Sequence, residues 1–369
     1  MKPKIIIDAL ALLGPLTGIG RYTYENAKEL IRLDNYQIDY FYGYTSDKLI
    51  TPSSAQGTKS LRSVIVKNPL VKAVIRKVMF RLSGMMASRY NLYWQPNFIP
   101  NNSIKADKIV ATVHDFSWEI YPEFQPIERV KYFQKHFYSS IAQCNHIITG
   151  SEYTKREIIE RIEIAPDKIT VIYHGINHSV FYPRQSNDKP IQKYILAVGS
   201  IEPRKNLKNL LMAYSMLDKE FRDEYHLLLV GAAGWNNQEI VNEIKALSQW
   251  VSYSGYVSDD ELALLYTNAS LFIYPSLYEG FGIPPLEAMA CGTPVIVSNA
   301  STLPEICADA AYYVDPLDTQ SIKEGILKIL SDETLQKALV TKGFARGKEF
   351  SWEKSAMKHQ ALFDKVLGK

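Results

Sequence analysis

The sequence of 369 residues has little cysteine and no long apolar run. Its three cysteines, Cys144, Cys291 and Cys307, are widely spaced and form no C-x-x-C pair, so neither a disulfide framework nor a cysteine zinc site is indicated. The opening MKPKIIIDALALLGPLTGIG contains an apolar stretch that Asp8 interrupts and a Gly-Pro pair ends. It predicts a strand and a loop rather than a signal peptide or a membrane span, and a reducing cytoplasm is the expected location.

The net charge is only +3, which does not indicate nucleic-acid binding, but one region lacks acidic residues altogether. Residues 48–105 include ten Lys or Arg and no Asp or Glu. Within this block, NPLVKAVIRKVMFRLSGMM has apolar residues at helical spacing, offset from Lys72, Arg76, Lys77 and Arg81. Two interpretations remain open: a helix packed on a sheet with a solvated basic face, or a peripheral contact with an anionic membrane surface.

Short β-branched runs alternate with longer segments of helical periodicity, which is the pattern of parallel sheets covered by helices. We predict strands near residues 4–8, 37–42, 91–94, 108–113, 145–149 and 169–173, and again near 194–199, 226–231, 251–254, 270–275, 294–298 and 311–314. Residues 174–192 contain Gly, Asn, Ser and Pro without either periodicity and are predicted to form a hinge. The expected fold is α/β, with two Rossmann-like domains facing each other across a cleft.

Two cations follow the first strand of the second half. In open α/β sheets, ligands bind at the carboxyl ends of strands, so functional residues are expected just after them. Arg204 and Lys205, in SIEPRKNLKNLLMAYSML, stand where a helix is about to begin. A helix N-terminus favours anions, and adjacent guanidinium and ammonium groups would strengthen a diphosphate site. A solvated basic pair in a loop is the alternative.

Two carboxylates flank a glycine turn in YPSLYEGFGIPPLEAMACGTPVIVSN, residues 274–299. We predict that Pro284-Pro285 starts a helix, that Glu287 lies in its first turn, and that Glu279 lies in the preceding loop. Carboxylates accept hydrogen bonds from vicinal hydroxyls, so Glu279 and Glu287 suit a ligand with two polyol rings. Alternatively, Glu287 only complements the helix dipole and Glu279 is solvated.

These motifs resemble the retaining glycosyltransferase family 4, which has the GT-B fold. The resemblance rests on EGFGIPPLEAMACGTPVI and on VGSIEPRKNL about seventy residues earlier, and it covers nearly the whole chain. It implies an acceptor-side domain at residues 1–180 and a nucleotide-sugar-binding domain at 181–350. We expect residues 351–369 to form a helix that packs back on the first domain.

The resemblance also implies roles for residues of the second half. Arg204 and Lys205 would bind the donor diphosphate, Glu279 would contact the hydroxyls of the transferred sugar, and Glu287 would hold the ribose. The other donor-binding positions that it implies here are Gly199, Ser200, Gly255, Tyr256, Val257, Gly280, Phe281, Gly282 and Ile283. Many family members have an arginine in place of Ser200, so in this chain the cationic pair must supply the phosphate charge.

The first half contributes fewer expected site residues. GPLTGIGRYTYENAKEL, residues 14–30, predicts a glycine loop entering a helix, although Thr23 departs from G-x-G-x-x-G. The family comparison places Gly18, Gly20 and Ser151 near the donor and His114 near the transferred sugar. With Glu279, Arg204 and Lys205, His114 completes the expected catalytic set. Without the resemblance, His114 reads as a structural histidine and Ser151 as a helix N-cap.

The resemblance implies transfer of a hexose with retention, and the EPRKN segment favours mannose from GDP-mannose. The acceptor would be a hydroxyl of a growing glycan, free or lipid-linked, such as a surface polysaccharide. The sequence contains no Asp-x-Asp, the motif that holds a divalent ion in the alternative, metal-dependent fold, so no metal or other cofactor is expected. A nucleotide-sugar epimerase and a non-catalytic nucleotide-sugar-binding module are the alternatives.

Overall fold

The structure is a computed structural model, and it describes residues 2–14, 17–51, 89–184, 192–232, 234 and 238–369. The predicted basic amphipathic segment, residues 68–86, lies outside the described residues, as does part of the predicted hinge. None of the described helices is both long and apolar enough to cross a membrane.

Seven described strands form the first sheet, in the order β3-β2-β1-β4-β5-β6-β7. All neighbours pair in parallel except β2 and β3. The strands are β1 Lys4–Asp8, β2 Gln37–Phe41, β3 Thr45–Ser46, β4 Tyr90–Gln95, β5 Ala106–Val113, β6 His146–Thr149 and β7 Ile169–Val171. The helices are α1 Gly18–Leu33, α2 Ser117–Ile120, α3 Ile127–Ile141 and α4 Glu152–Ile162, with 3-10 turns at Leu10–Leu13, Pro122–Phe124 and Pro166–Lys168.

Six described strands form the second sheet, which is parallel and has the order β10-β9-β8-β11-β12-β13. They are β8 Lys193–Val198, β9 Tyr225–Val230, β10 Val251–Tyr253, β11 Leu271–Tyr274, β12 Val295–Ser298 and β13 Tyr312–Val314. The helices are α5 Leu207–Ser215, α6 Lys219–Glu224, α7 Gln238–Ala246, α8 Asp259–Asn268, α9 Ile283–Ala290, α10 Leu303–Cys307, α11 Thr319–Ser331, α12 Glu333–Gly347 and α13 Trp352–Leu367. Further 3-10 turns lie at Pro203–Lys205 and Ala308–Ala310.

The strand order of each sheet reverses beside its first strand, as in Rossmann-like domains. Apolar runs such as Ile5–Ile7 and Val295–Val297 are almost completely buried because helices cover both faces of a parallel sheet. The predicted α/β class with two Rossmann-like domains is confirmed. The two-residue strand β3 was not predicted, since a pairing this short leaves no hydrophobic pattern.

The last helix, α13, packs against α1 of the first domain. Its residue Phe363 is fully buried in the same apolar cluster as Tyr22 and Leu30. The Tyr22 hydroxyl lies 2.7 Å from Nε2 of His359, which fixes the two helices to each other. The chain therefore passes from the first domain to the second and returns to the first with α13.

Candidate active site

The loop that carries Glu279 lies against the carboxyl edge of the first sheet. A Cβ built on Gly280 would stand only 2.1 Å from the backbone oxygen of His114. The Tyr278 hydroxyl accepts the Phe116 amide hydrogen at 2.9 Å and donates to Glu157 at 2.6 Å. The two domains thus meet at the loop that was predicted to bind the donor.

Two further carboxylates join the domains. Arg21, in the first turn of α1, makes a bidentate ion pair with Asp259, at the start of α8, at 2.6 and 2.7 Å. Glu305 accepts the amide hydrogens of Glu152 and Tyr153 at 2.7 and 2.9 Å, and so caps helix α4 from the opposite domain. Sequence analysis missed these contacts because their partners are far apart in the chain and have residue types that are common on helix surfaces.

Arg204 and Lys205 form a buried charge centre with Glu279. Nη1 of Arg204 lies 2.9 Å from Oε2 of Glu279, and Nζ of Lys205 lies 2.7 Å from Oε1. Nη2 of Arg204 also donates to Glu202 at 2.7 Å, and Nζ of Lys205 donates to the Tyr274 hydroxyl at 2.6 Å. The two cations are balanced by two carboxylates. The alternative of a solvated basic pair is wrong, since both side chains are mostly buried.

The turn that carries the two cations is fixed by its own hydrogen bonds. Asn206 adopts a left-handed conformation, with φ of 59°, between the 3-10 turn and helix α5. Its side-chain amide donates to the carbonyl oxygens of Pro275 and Pro316 at 3.0 and 2.6 Å. The Leu277 amide donates to the Arg204 carbonyl at 2.9 Å, which ties the turn to the Glu279 loop.

Burial and neighbouring charges shift the pKa values of this centre in opposite directions. Burial raises the pKa of Glu279, but Arg204 and Lys205 outweigh it and lower that pKa to about 2. Burial lowers the pKa of Lys205, with Glu279 opposing the shift. Burial also lowers the pKa of Arg204, but Glu279 and Glu202 reverse the effect. Glu279 is therefore an ionised carboxylate at neutral pH, and the alternative that it is solvated is wrong.

Glu287 is the second buried carboxylate at this edge. Helix α9 begins at Ile283, so Glu287 is its fifth residue, and the prediction that it lies in the first turn is wrong. Its Oε2 accepts a hydrogen bond from the Tyr266 hydroxyl at 3.2 Å. Burial raises its pKa to about 7, although the charge of Arg21 lowers it. A carboxyl of the second turn is not placed to complement the helix dipole.

The glycine turn leaves several amides available as donors. Gly282 precedes helix α9 with φ of 105°, and a Cβ on it would approach Leu303 to 2.7 Å. The following prolines, Pro284 and Pro285, have no N–H groups. Within the described part of the chain, the amides of Phe281, Gly282 and Ile283 have no hydrogen-bond acceptor. These three N–H groups form the positive N-terminal end of helix α9, beside Glu279, and are available to an anionic ligand.

The donor-binding residues that were predicted in the first domain make structural contacts within it. Helix α1 begins at Gly18, so Gly18 and Gly20 lie inside its first turn, and the prediction that they belong to a loop is wrong. The Gly20 amide donates to the Thr17 hydroxyl at 3.4 Å. Ser151 is the N-cap of α4 and accepts the Thr154 amide hydrogen at 3.1 Å, and its hydroxyl also lies 3.3 Å from the Gly280 carbonyl oxygen.

Two histidines lie between the domains. His114 donates from Nε2 to the Pro96 carbonyl at 2.7 Å, and burial lowers its pKa. The ring of His174, which sequence analysis missed, lies 4.5 Å from Phe281 and 5.8 Å from His114, and burial holds its pKa well below its usual range. Both rings are neutral near pH 7. The signal that could have identified His174 is its position directly after the strand near 169–173.

The remaining predicted donor-binding residues also lie at the carboxyl edge of the second sheet. Gly199 faces the Lys205 side chain, since a Cβ on it would lie 3.4 Å from two Lys205 carbons. Ser200 follows it and is half-buried. After β10, the Gly255 carbonyl accepts the amide hydrogen of Gly231 at 2.9 Å. Tyr256 is 45% exposed, and Val257 packs on the apolar core.

Across the described ranges, no group of three or more His, Cys, Asp or Glu side chains is arranged to hold a metal ion. The charged groups closest to Glu279 are the two cations described above.

Comparisons with known proteins assign this arrangement to a family. Residues 181–346 match the model of "Glycosyl transferases group 1", and residues 16–180 match that of "Glycosyltransferase Family 4". The chain is 34% identical to the O-antigen chain mannosyltransferase B of Escherichia coli over 95% of this chain and 96% of that one. It is 36% identical to the O-antigen chain mannosyltransferase RfbU of Salmonella typhimurium over 59% of this chain and 60% of that one.

Solved structures share the fold at low sequence identity. A sucrose-phosphate synthase from Thermosynechococcus elongatus superposes with a TM-score of 0.75 at 21% identity, with both chains fully covered. WaaG, a glycosyltransferase involved in lipopolysaccharide biosynthesis, superposes with a TM-score of 0.72 at 16% identity, over 99% of this chain and 100% of that one. Together with the sequence matches, these findings show that the chain belongs to the family 4 glycosyltransferases of GT-B fold. It is similar to mannosyltransferases.

Proposed function

We propose that the protein is a retaining mannosyltransferase that moves mannose from GDP-mannose to a hydroxyl of a growing surface polysaccharide. The observation that carries this proposal is the buried Arg204–Lys205–Glu279 centre, at the sheet edge that faces the first domain. The similarity to two O-antigen mannosyltransferases supports the choice of sugar and of acceptor class.

In the proposed reaction, the bond between the sugar C1 and the diphosphate breaks while an acceptor oxygen bonds to C1 on the same face. The acceptor proton passes to the leaving diphosphate oxygen, so no protein nucleophile is needed. Arg204 and Lys205 stabilise the charge that develops on the diphosphate. The amides of Phe281, Gly282 and Ile283 add donors at the positive end of helix α9. Metal independence is part of the proposal, since these groups supply the positive charge.

Glu279 has a double task in this proposal. In the structure Glu279 accepts hydrogen bonds from both cations, so it holds them in place and offsets their charge. When a diphosphate binds, the cations turn to the stronger anion, and the carboxylate becomes an acceptor for the hydroxyls of the sugar. Glu287, which is only 5% exposed and lies beside Tyr266, would accept hydrogen bonds from the ribose.

The test is release of nucleotide and transfer of sugar from a panel of GDP- and UDP-sugars, with and without EDTA. We expect turnover with GDP-mannose, insensitivity to EDTA, and an unchanged anomeric configuration in the product by NMR. Binding of UDP-sugars with no response to GDP would contradict the donor assignment; one structural neighbour, Alr3699/HepE from Anabaena, was solved with UDP-glucose. Isomerised donor without transfer would indicate an epimerase, and binding without turnover a non-catalytic module.

Variants of the cationic pair test the mechanism. Arg204→Ala and Lys205→Ala should each lower turnover by about 10²–10³, the usual cost of removing one group that stabilises transition-state charge. Lys208→Ala is the matched control, since Lys208 lies on the next turn but pairs with Glu239 at the exposed surface. Equal activity in all three variants would contradict the proposed role of the pair.

A further inference from the structure

A cavity of about 390 Å³ opens at the carboxyl edge of the first sheet, apart from the Arg204–Lys205–Glu279 centre. It lies where β1 and β4 end, between helices α1 and α3, and its polar lining residues are Asp8, Gln95, Asn97 and Arg129. None of them contacts the Arg204–Lys205–Glu279 centre. Its volume is within the range of small-molecule sites, and the proposed function uses none of its residues.

The cavity adjoins the region where the domains meet. Pro96, between the lining residues Gln95 and Asn97, accepts the hydrogen bond from His114 at 2.7 Å. The Phe98 ring lies 5.4 Å from the His114 ring and 5.3 Å from Phe133, which forms the apolar wall of the cavity. His114 does not itself line the cavity, but Pro96 and Phe98 link the cavity wall to it, and its backbone contacts Gly280 of the second domain.

The floor of the cavity is a buried carboxylate held by a hydrogen-bond network. Asp8 is 4% exposed and accepts hydrogen bonds from the Leu10 amide at 3.1 Å, the Tyr93 hydroxyl at 3.3 Å and Gln95 Nε2 at 3.1 Å. Gln95 also donates to the Ile99 carbonyl at 3.0 Å, which fixes its orientation. A carboxylate has about four lone-pair sites, so Asp8 can accept one more hydroxyl without losing a partner.

The rim of the cavity has two exposed apolar side chains and two polar ones. Tyr132 on α3 is 49% exposed, and Leu10 on the opposite side is 43% exposed. The Arg129 guanidinium lies 5.4 Å from the Phe133 ring and forms no ion pair with a described residue. Asn97 is exposed, and its side-chain amide has no hydrogen-bond partner among the described residues. A carboxylate floor, free donors and an aromatic wall match the hydroxyls and the apolar face of a pyranose ring.

We propose that this cavity binds a neutral hexose of the acceptor glycan, with Asp8 accepting one hydroxyl, Arg129 and Asn97 donating to others, and Tyr132 stacking on the ring. The inference rests on the proposed function, because it assigns the acceptor side of that reaction. The lining contains one carboxylate, Asp8, and one guanidinium, Arg129, so its formal charges balance without an anionic ligand, which favours a neutral hexose over uronic acids and sugar phosphates.

The experiment measures acceptor recognition separately from chemistry. Tyr132→Ala and Asp8→Asn are compared with the wild type for binding of octyl α-mannobioside by saturation-transfer NMR, and for transfer to it from GDP-mannose. We expect the acceptor KM to rise about tenfold with Tyr132→Ala, the scale of one lost aromatic contact, while the KM for the donor and nucleotide release without acceptor stay within about twofold. Lys131→Ala and Gln134→Ala, exposed on the same helix and outside the cavity, are the matched controls.

The outcomes are separable from failure of the proposed function. If the wild type transfers nothing from any nucleotide sugar, the proposed function fails, but the NMR comparison still decides whether the cavity binds the mannobioside. Equal signals from wild type and Tyr132→Ala, or no signal from either, overturn the cavity assignment. Binding by Asp8→Asn is interpreted only if its melting temperature equals that of the wild type. If Asp8→Asn fails to fold, Tyr132→Ala still tests the cavity, because Tyr132 is exposed and its replacement should not disturb the fold.

Discussion

The backbone oxygen of His114 fills the space in which a side chain on Gly280 would begin, because a Cβ at that position would lie only 2.1 Å from the oxygen. The Asp115 Cβ lies 3.0 Å from the same point, so the contact involves two consecutive residues of the first domain. Real Cβ atoms do not approach a carbonyl oxygen this closely. Glycine at this position therefore permits the two domains to meet at the Glu279 loop.

Gly280→Ala should hold the domains apart and lower transfer by at least about tenfold, while each domain remains folded. The reason is that backbone on both sides of the contact cannot yield as a flexible side chain can. Turnover and small-angle scattering of the nucleotide-bound protein check this expectation. Gly347→Ala is the control, because its Cβ would make ordinary 3.7 Å contacts with Ala290. Full activity of Gly280→Ala would show that closure does not depend on this contact.

Glu279→Gln should bind GDP more tightly, by roughly three- to tenfold, yet transfer sugar about 10²-fold more slowly. Removing this carboxylate leaves Arg204 and Lys205 without their shared partner, so the diphosphate no longer competes with it. Calorimetry with GDP and turnover assays measure the two effects. Glu239→Gln, which breaks an exposed pair with Lys208, should change neither. Weaker GDP binding in Glu279→Gln would mean that the carboxylate mainly positions the cations.

Affinity for GDP should rise about tenfold from pH 6 to pH 8 in the wild type and much less in Glu287→Gln. Burial raises the pKa of Glu287 to about 7, so the carboxyl is protonated below that pH and becomes a better acceptor for ribose hydroxyls above it. GDP itself titrates in this pH range, but this affects both proteins equally, so the difference between their pH profiles reports Glu287 alone. If Glu287→Gln binds GDP as the wild type does at every pH, the ribose role is wrong.

The raised pKa of Glu287 also makes the stability of the folded protein depend on pH. The folded protein holds a proton on Glu287 that the unfolded chain releases above its ordinary pKa of about 4.5. The contribution of Glu287 to stability is therefore largest below that value and falls as the pH rises toward 7. Denaturant unfolding of wild type and Glu287→Gln at pH 5 and pH 8 should show a steeper decline in the wild type.

Ser151→Ala should lower the free energy of unfolding by about 1 kcal/mol through loss of the α4 cap, with little change in the KM for the donor. Ser351→Ala is matched to it, since Ser351 caps α13 in the same way at 3.2 Å from the Lys354 amide. Denaturant titration and donor kinetics separate a structural role from a binding one. A large increase in the donor KM for Ser151→Ala alone would support the donor contact that the sequence resemblance implied.

The positions of most strands follow from local pattern, which is why they could be predicted, whereas their order in each sheet was not. Runs such as KIIID and HLLLV are apolar on both faces, and only a sheet covered by helices buries them in this way. The positions of Arg204, Lys205 and Glu279 at one edge also follow, because each comes after a parallel strand. Their pairing with one another does not, since it depends on the exact path of two loops about 75 residues apart.

Contacts between the domains were beyond the reach of sequence patterns. Arg21 and Asp259 are 238 positions apart, and each alone is an ordinary charged residue in the first turn of a helix. His174 lies in a segment without periodicity, where composition predicted a hinge but not a ring between Phe281 and His114. Glu287 was assigned to the wrong turn because Pro284 marks only an approximate start, and the helix begins one residue earlier.

During synthesis, the first domain emerges from the ribosome long before the segment that completes it. Helix α13 supplies Trp352, Ala356, Leu362 and Phe363 to the same apolar cluster as Tyr22 and Trp94. Until residues 352–363 have emerged, that surface of the nascent domain is open to water and to other chains. The order of folding therefore differs from the order of synthesis, because the second domain can finish first and the first domain is completed only once α13 has been made.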